Sequence, residues 1–175
     1  MCGADPNFLS GYRNSETPLM ISAEYTENCN TYYLSKLIKY GAEVSKEVEY
    51  FQNGSKIINS PIFFSLENTD SKGHFCIDVI KVLCENGANI NVKENTNDPN
   101  LHRGVIYKCI FLKNMIALRY FIIDKKIELP KYVYERGLNY LTIEDVLLSD
   151  EFVFKHYEDN EKAKQDIIKY LNLNK

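Results

Sequence analysis

A histidine and a cysteine at close spacing are the first side chains in this sequence that could do chemistry. His74 lies two residues before Cys76, which brings two potential metal ligands near each other. Zinc sites normally use four ligands at recognisable spacing, and the sequence contains no Cys-x-x-Cys. We therefore expect no metal. We interpret His74 as a polar residue at a helix start and Cys76 as a small packed side chain.

Cys109 is a second candidate, because a nucleophilic cysteine needs a nearby base and His102 lies seven residues before it. No third side chain that would orient the histidine is identifiable, and Cys109 falls where a helix contact favours a small residue. Phosphate-binding glycine-rich loops, Gly-x-Ser-x-Gly and His-Glu-x-x-His are also missing from the sequence. The sequence predicts a protein that is not an enzyme and needs no cofactor. A hydrolase using Cys109 is the least favoured alternative.

Charge and composition exclude further classes. A sequence pI near 5.7 argues against a nucleic-acid partner, because binding phosphates needs a surplus of Lys and Arg. The sequence contains no run of roughly 18 apolar residues, the length that would span a membrane, and its first residues do not resemble a secretory signal. The segment 141–175 contains eight acidic residues and five lysines, so it carries the whole net charge of −3. Five cysteines, an odd number, favour reduced thiols and a cytoplasmic location.

A short string recurs three times and organises the chain. It begins at Gly3, Gly41 and Gly87, each followed by alanine and a polar residue. The second and third copies follow runs whose apolar residues recur at spacings of three and four, which predicts helices with one buried face. Each glycine then falls just past the last helical turn, where it can adopt the left-handed conformation that ends a helix.

Helix starts recur as well. Thr17-Pro18-Leu19 is matched 43 residues later by Ser60-Pro61-Ile62. A hydroxyl side chain accepts hydrogen bonds from the free N–H groups of a first turn, and proline fits the first helical position. Thr142 and Asp145 have the spacing of a similar helix start. Outer helices are expected near 115–123 and 160–173.

These strings together resemble the ankyrin repeat. The resemblance rests on the two helix starts with Thr-Pro or Ser-Pro, on the apolar pairs Leu37-Ile38 and Val82-Leu83, and on the Gly-Ala motifs that follow the outer helices. It implies an all-α fold with short β-hairpins, an ankyrin-type α-hairpin solenoid of about four repeats plus a C-terminal cap. The expected single domain, 1–175, would contain a truncated first repeat 1–16, repeats at roughly 17–59, 60–101 and 102–140, and a cap at 141–175.

Extra length between the repeats predicts a long hairpin and two inserts. Ankyrin units have about 33 residues, whereas the strings here are 38 and 46 residues apart. Strand-forming residues flank Asn53-Gly54, which is a strong signal for a hairpin with these two residues at its tip. The segments 24–30 and 67–73 are polar, turn-rich inserts within the helix pairs.

The resemblance implies binding of a protein partner through hairpin tips and the exposed, concave side of the inner helices. Tyr12 and Tyr50 are candidates in their own right, because exposed aromatic side chains are enriched at interfaces. The full set of expected partner-binding residues is Tyr12, Arg13, Glu16, Glu24, Tyr25, Tyr50, Gln52, Lys56, Asn68 and His102.

Three further hypotheses concern what the module does. The acidic segment 141–175 would suit a basic target, as in a toxin-neutralising or host-directed ankyrin protein of a bacterium or virus. Gly3-Ala4 closes a helix that the sequence does not contain, which motivates a regulatory fragment of a larger enzyme. The same feature predicts an uncapped N-terminal end that associates with another copy.

Overall fold

The computed structural model describes residues 3–11, 15–52, 55–94, 103–136, 139–149 and 158–173. In these segments the chain forms eight α-helices and three two-stranded antiparallel sheets. Along the sequence, each sheet follows two helices and precedes the next two. The chain forms two compact units, residues 1–92 and 93–175. The predicted single domain with its repeat boundaries stays a prediction.

The first unit consists of two helix pairs joined by a hairpin. Its elements are α1 (Pro18–Glu24), a 3₁₀ turn (Glu27–Cys29), α2 (Tyr32–Lys39), β1 (Val48–Gln52), β2 (Ser55–Asn59), α3 (Pro61–Ser65) and α4 (Ile77–Glu85).

The helix starts and ends of this unit follow the sequence signals. Thr17 Oγ1 accepts from the Met20 N–H at 3.2 Å, and Ser60 Oγ accepts from the Phe63 N–H at 3.4 Å. Gly41 and Gly87 have φ values of +92° and +86°. Both predictions are confirmed, because a hydroxyl caps each start and a left-handed glycine follows each outer helix.

The interior of the first unit lies between the two helix pairs. Helix α1 packs against both α2 and α3, and α3 packs against α4. Burying one aliphatic side chain in this interior contributes about 1.5–3 kcal/mol, so the side chains buried between the helices hold the two pairs together. Its fully buried side chains include Leu19, Met20, Leu34, Ile62, Leu66, Ile80 and Leu83.

The three glycine strings lie side by side in the first unit. Asn7 Nδ2 donates to the Gly41 carbonyl at 2.9 Å, and Asn7 Oδ1 accepts from the Glu43 N–H at 2.7 Å. The second string contacts the third in the same way, because Ser45 Oγ donates to the Gly87 carbonyl at 2.6 Å. Asn7 and Ser45 each lie four residues after their own glycine, so the same contact is made twice.

The two strands of the predicted long hairpin are present. Antiparallel β1 and β2 pair from Val48 with Asn59 to Gln52 with Ser55. This register leaves two residues as the connection, so the predicted strands are confirmed. The tip itself, Asn53-Gly54, lies outside the described residues.

The described residues of the second unit form four helices and two short antiparallel strand pairs. Its elements are β3 (Lys93–Glu94), β4 (Arg103–Gly104), α5 (Val105–Phe111), α6 (Met115–Arg119), a π-helical turn (Tyr120–Asp124), β5 (Tyr134–Arg136), β6 (Asn139–Leu141), α7 (Ile143–Leu148) and α8 (Glu158–Tyr170). Of these helices, α5 packs against α6.

Sequence signals are confirmed in the second unit as well. Thr142 Oγ1 accepts from the Asp145 N–H, and the Asp145 carboxylate accepts from the Thr142 N–H at 2.8 Å. The outer helix expected near 115–123 is present as α6 and the π-helical turn. It packs against α8, where Arg119 Nε donates to Asp166 at 2.9 Å.

The expectation of an all-α fold is wrong. The segments between successive helix pairs form paired strands: β1 with β2, β3 with β4 and β5 with β6. The sequence analysis identified only the first of these and treated it as an addition to a helical array. The fold is mixed α/β, because backbone groups left unpaired between the helices form antiparallel strand pairs.

Candidate protein interface

Cys109 is a packing residue in the structure. Its side chain is completely buried in α5, and burial raises the pKa of the Cys109 thiol far above its ordinary value. A buried neutral thiol is a poor nucleophile, because the thiolate is the reactive form. The proposed base, His102, lies outside the described residues.

Asp70 organises the loop that contains His74. The His74 N–H donates to Asp70 Oδ1 at 2.9 Å, the Lys72 N–H donates to the same oxygen at 2.8 Å, and the His74 ring nitrogen Nδ1 lies 3.1 Å from Asp70 Oδ2. The backbone hydrogen bond from His74 holds the pKa of Asp70 below its ordinary value of 3.8, and the other bonds act in the same direction. These contacts give His74 a role in shaping the loop.

A disulfide joins Cys29 to Cys76. The expectation of reduced thiols is therefore wrong at these two positions, which hold the insert of the first helix pair to the start of α4. Across the described parts of the chain, no group of three or more His, Cys, Asp or Glu side chains could hold a metal ion.

Several expected partner-binding residues lie near the hairpin or before α1. Glu16 is half-buried and its N–H donates to Ser10 Oγ at 3.3 Å. Lys56 Nζ lies 2.6 Å from Glu49 Oε1 across the hairpin, so part of its charge is neutralised locally. Tyr50 is half-buried in β1, which Gln52 ends. Tyr12, Arg13 and His102 lie outside the described residues.

Asn68 and Tyr25 occupy equivalent positions after Ser60 and Thr17 but have opposite environments. Asn68 is only 1% exposed, and its Nδ2 donates to the Ala23 carbonyl at 2.8 Å and to Thr26 Oγ1 at 2.6 Å. The prediction of a surface contact at Asn68 is therefore corrected to a buried structural role. Tyr25 is 68% exposed, and half-buried Glu24 ends α1 beside it.

An exposed face of α2 was missed by the sequence analysis. We name it the tyrosine–lysine face: Tyr32, Lys36, Lys39 and Tyr40. Spacings of four, seven and eight residues from Tyr32 place Lys36, Lys39 and the capping residue Tyr40 on the side of the helix opposite buried Leu34. Lys36 is half-buried, and the other three side chains are exposed. The signal was present in the sequence, but the aromatic residues were examined only in loops and hairpins.

The charge on this face is uniformly positive. Helix α2 contains no acidic residue. Lys36 Nζ lies 5.3 Å from the centre of the Tyr32 ring, which is a cation–π distance. Among the residues that the structure describes, neither Lys36 nor Lys39 has a carboxylate within ion-pair distance.

Comparisons with known proteins add no family. No family model matches the chain, and no curated protein matches it significantly. The ankyrin resemblance thus stays a prediction that rests on the residues quoted above. In the described segments, no helix has both the length and the apolar character needed to cross a membrane.

Proposed function

We propose that the chain is a non-enzymatic protein–protein interaction module. The observation that carries the proposal is the tyrosine–lysine face of α2. Tyrosine contributes a large contact area with few rotatable bonds, and it is enriched among the residues that dominate binding energy. Tyr32 and Tyr40 are 56% and 71% exposed, so both have most of their area available to a partner.

The charge of the face indicates the chemistry of the partner. Lys36 and Lys39 give it two positive charges, so it is complementary to an acidic segment of another protein. Such complementarity speeds association and makes it sensitive to salt. Exposed Phe51 in β1 supports a second contact at the hairpin, which the family resemblance also favours.

Site-specific photocrosslinking tests this function. A photoreactive phenylalanine analogue replaces Tyr40 in one variant and Asn86, the equivalent residue after α4, in the matched control. In lysate of the source organism, position 40 should give a discrete adduct that position 86 does not give. Adding Lys36→Glu and Lys39→Glu should abolish that adduct, as should high salt. Equal adducts at both positions, or none at position 40, would contradict the proposal.

A second candidate function is neutralisation of a basic toxin. The feature that favours it is the first turn of α8, where Glu158, Asp159 and Glu161 are all exposed. Co-expression with a toxin encoded beside this gene tests the idea. Rescue of growth by the native chain, lost when these three acids are replaced by Gln and Asn, is the expected result.

The cytoplasmic location stays a prediction whose basis has changed. Disulfides persist in oxidising compartments, so a bond between Cys29 and Cys76 removes part of the argument from reduced thiols. Rapid acid quenching of cells followed by alkylation and mass spectrometry tests the location. Alkylation of both cysteines in the intact protein is expected if the compartment is reducing.

A further inference from the structure

The segment 27–33 runs from the 3₁₀ turn into the first turn of α2, and none of its side chains is buried. Cys29 and Thr31 are half-buried, and the other side chains of the segment are exposed. The residues on either side of it are held differently, because Thr26 is 8% exposed and Leu34 is completely buried. Since apolar burial is the main force that holds a segment to a core, this segment must be attached in another way.

Two side-chain bonds tie the segment to the second helix pair, in the part of the chain that the structure describes. One is the disulfide between Cys29 and Cys76. The other is a hydrogen bond of 3.2 Å that Ser71 Oγ donates to Asn28 Oδ1. Both partners of this hydrogen bond are exposed, so water competes for the same groups and weakens it. The disulfide is therefore the main attachment of the segment.

The backbone at this attachment has an unfavourable conformation. Asn28 and Cys29 have φ values of +49° and +58°, in the left-handed region. Residues with a Cβ rarely adopt this region, and asparagine tolerates it better than cysteine does. Such a conformation persists only where the surrounding structure enforces it. The disulfide is the strong constraint on Cys29, so breaking this bond lets the backbone leave the left-handed region.

The first turn of α2 depends on the same backbone. The Asn30 N–H donates to the Glu27 carbonyl at 3.0 Å, and the Tyr32 N–H donates to Asn30 Oδ1 at 3.0 Å. Lys36 Nζ lies 5.3 Å from the centre of the Tyr32 ring. A change in the backbone at Cys29 therefore displaces Tyr32 from the rest of the tyrosine–lysine face.

We propose that the Cys29–Cys76 disulfide is a redox switch that regulates the tyrosine–lysine face. The oxidised form fixes the segment 27–33 and with it Tyr32. The reduced form releases the segment, and binding to the face weakens. The effect on binding rests on the function proposed above, whereas the release of the segment does not.

A dithiol is the class of reductant that operates the switch. Cys29 is half-buried and Cys76 is only 1% exposed, so a thiolate of the dithiol attacks the sulfur of Cys29. A mixed disulfide forms, and the Cys76 sulfur leaves as a thiolate that takes up a proton. The second thiol of the dithiol then displaces the Cys29 sulfur, which is protonated in turn. Two electrons and two protons thus pass from the dithiol, which becomes a disulfide, to the two cysteines.

Hydrogen–deuterium exchange with mass spectrometry tests the release without any partner. Adding dithiothreitol should speed exchange in the segment 27–33 by at least about tenfold, while the strands β1 and β2 stay protected. Cys29→Ser should exchange rapidly from the start and should not respond to dithiothreitol. Cys84→Ser, which removes a thiol outside the disulfide, should respond as the native chain does. Unchanged exchange in the segment, or an equal rise in the two strands, would overturn the switch.

Photocrosslinking at position 40 tests the regulation of binding. The photoreactive analogue is introduced into the native chain and into Cys29→Ser, which circular dichroism must show to be folded. Both are added to lysate whose free thiols have been alkylated and from which the reagent has been removed. The adduct of Cys29→Ser should be at least about threefold weaker, because Tyr32 no longer contributes fully to the contact.

The two measurements separate failure of the switch from failure of the proposed function. Equal adducts with the native chain and with Cys29→Ser would overturn the regulation and leave the proposed function standing. An adduct missing from both would contradict the proposed function and the regulation together. The exchange measurement decides in each case whether reduction releases the segment 27–33.

Discussion

Helices α2 and α4 share an inner face and differ on the outside. Leu34 and its match Ile80 are completely buried, and both helices end before a left-handed glycine. On the outer side, Tyr32, Lys39 and Tyr40 of the first helix correspond to Asp78, Glu85 and Asn86 of the second. Helix α4 thus shows that polar, acidic residues suffice at these positions. The aromatic and basic exterior of α2 therefore distinguishes it from a helix of the same unit that has the same inner face.

Comparing the two inserts shows which of their residues are buried or hydrogen-bonded and which are exposed to solvent. In the second insert, Asp70 and Asn68 are engaged by backbone and side-chain hydrogen bonds. In the first, Tyr25 extends into solvent at the position that matches Asn68. Residues that match in sequence therefore differ in environment, because Ala23 and Thr26 of the first helix pair cover Asn68 in the second.

Truncating the shared interior should have the largest effect. Leu34→Ala and Ile80→Ala each remove a completely buried aliphatic group, so each should lower the free energy of unfolding by about 3 kcal/mol. Urea titrations followed by far-UV circular dichroism measure both losses. A large loss at one position with almost none at the other would break the structural equivalence of the two helices.

The matched positions 68 and 25 should respond unequally. Asn68→Ala leaves the buried Ala23 carbonyl and Thr26 hydroxyl without this donor, so it should cost about 2 kcal/mol of stability. Tyr25→Ala truncates a side chain that is 68% exposed, so it should change stability by less than about 0.5 kcal/mol. Similar losses in the same urea titration would show that Tyr25 also has a structural role.

The smallest expected effect is a pH-dependent difference in melting temperature when Asp70 is replaced. Its pKa is lower in the folded chain than the ordinary value of 3.8, so its carboxylate stabilises the fold above that pH. This contribution is lost as the pH falls through the folded pKa. Asp70→Asn should therefore melt below the native chain at neutral pH, and the gap should close in acid. Thermal melts across pH test this, with Glu27→Gln in the first insert as the matched control. A gap that is independent of pH would contradict the assignment.

Local signals allowed much of the first unit to be predicted. Thr17, Ser60, Gly41 and Gly87 act through hydrogen bonds and backbone conformations that involve only a few neighbouring residues. The hairpin was predictable for the same reason, since an Asn-Gly turn between strand-forming residues fixes its own register.

Features that depend on distant neighbours could not be predicted. Cys29 and Cys76 are separated by 47 residues, and spacing alone does not indicate that they meet. Asn68 was expected on the surface because its environment comes from Ala23 and Thr26, which belong to another helix pair. Strands β3 to β6 have only two or three residues each, too few for an alternating pattern to appear.

The Cys29–Cys76 bond turns part of the chain into a covalent ring. The ring contains α2, the long hairpin and α3, and it closes through the sulfur atoms. A protease that cuts once inside the ring, for example at the hairpin, leaves the two ends in one molecule. Two cuts inside the ring, one on each side of α2, are needed to separate the tyrosine–lysine face from the disulfide. A protein exposed to proteases could thus be nicked at its hairpin and still hold both helix pairs together.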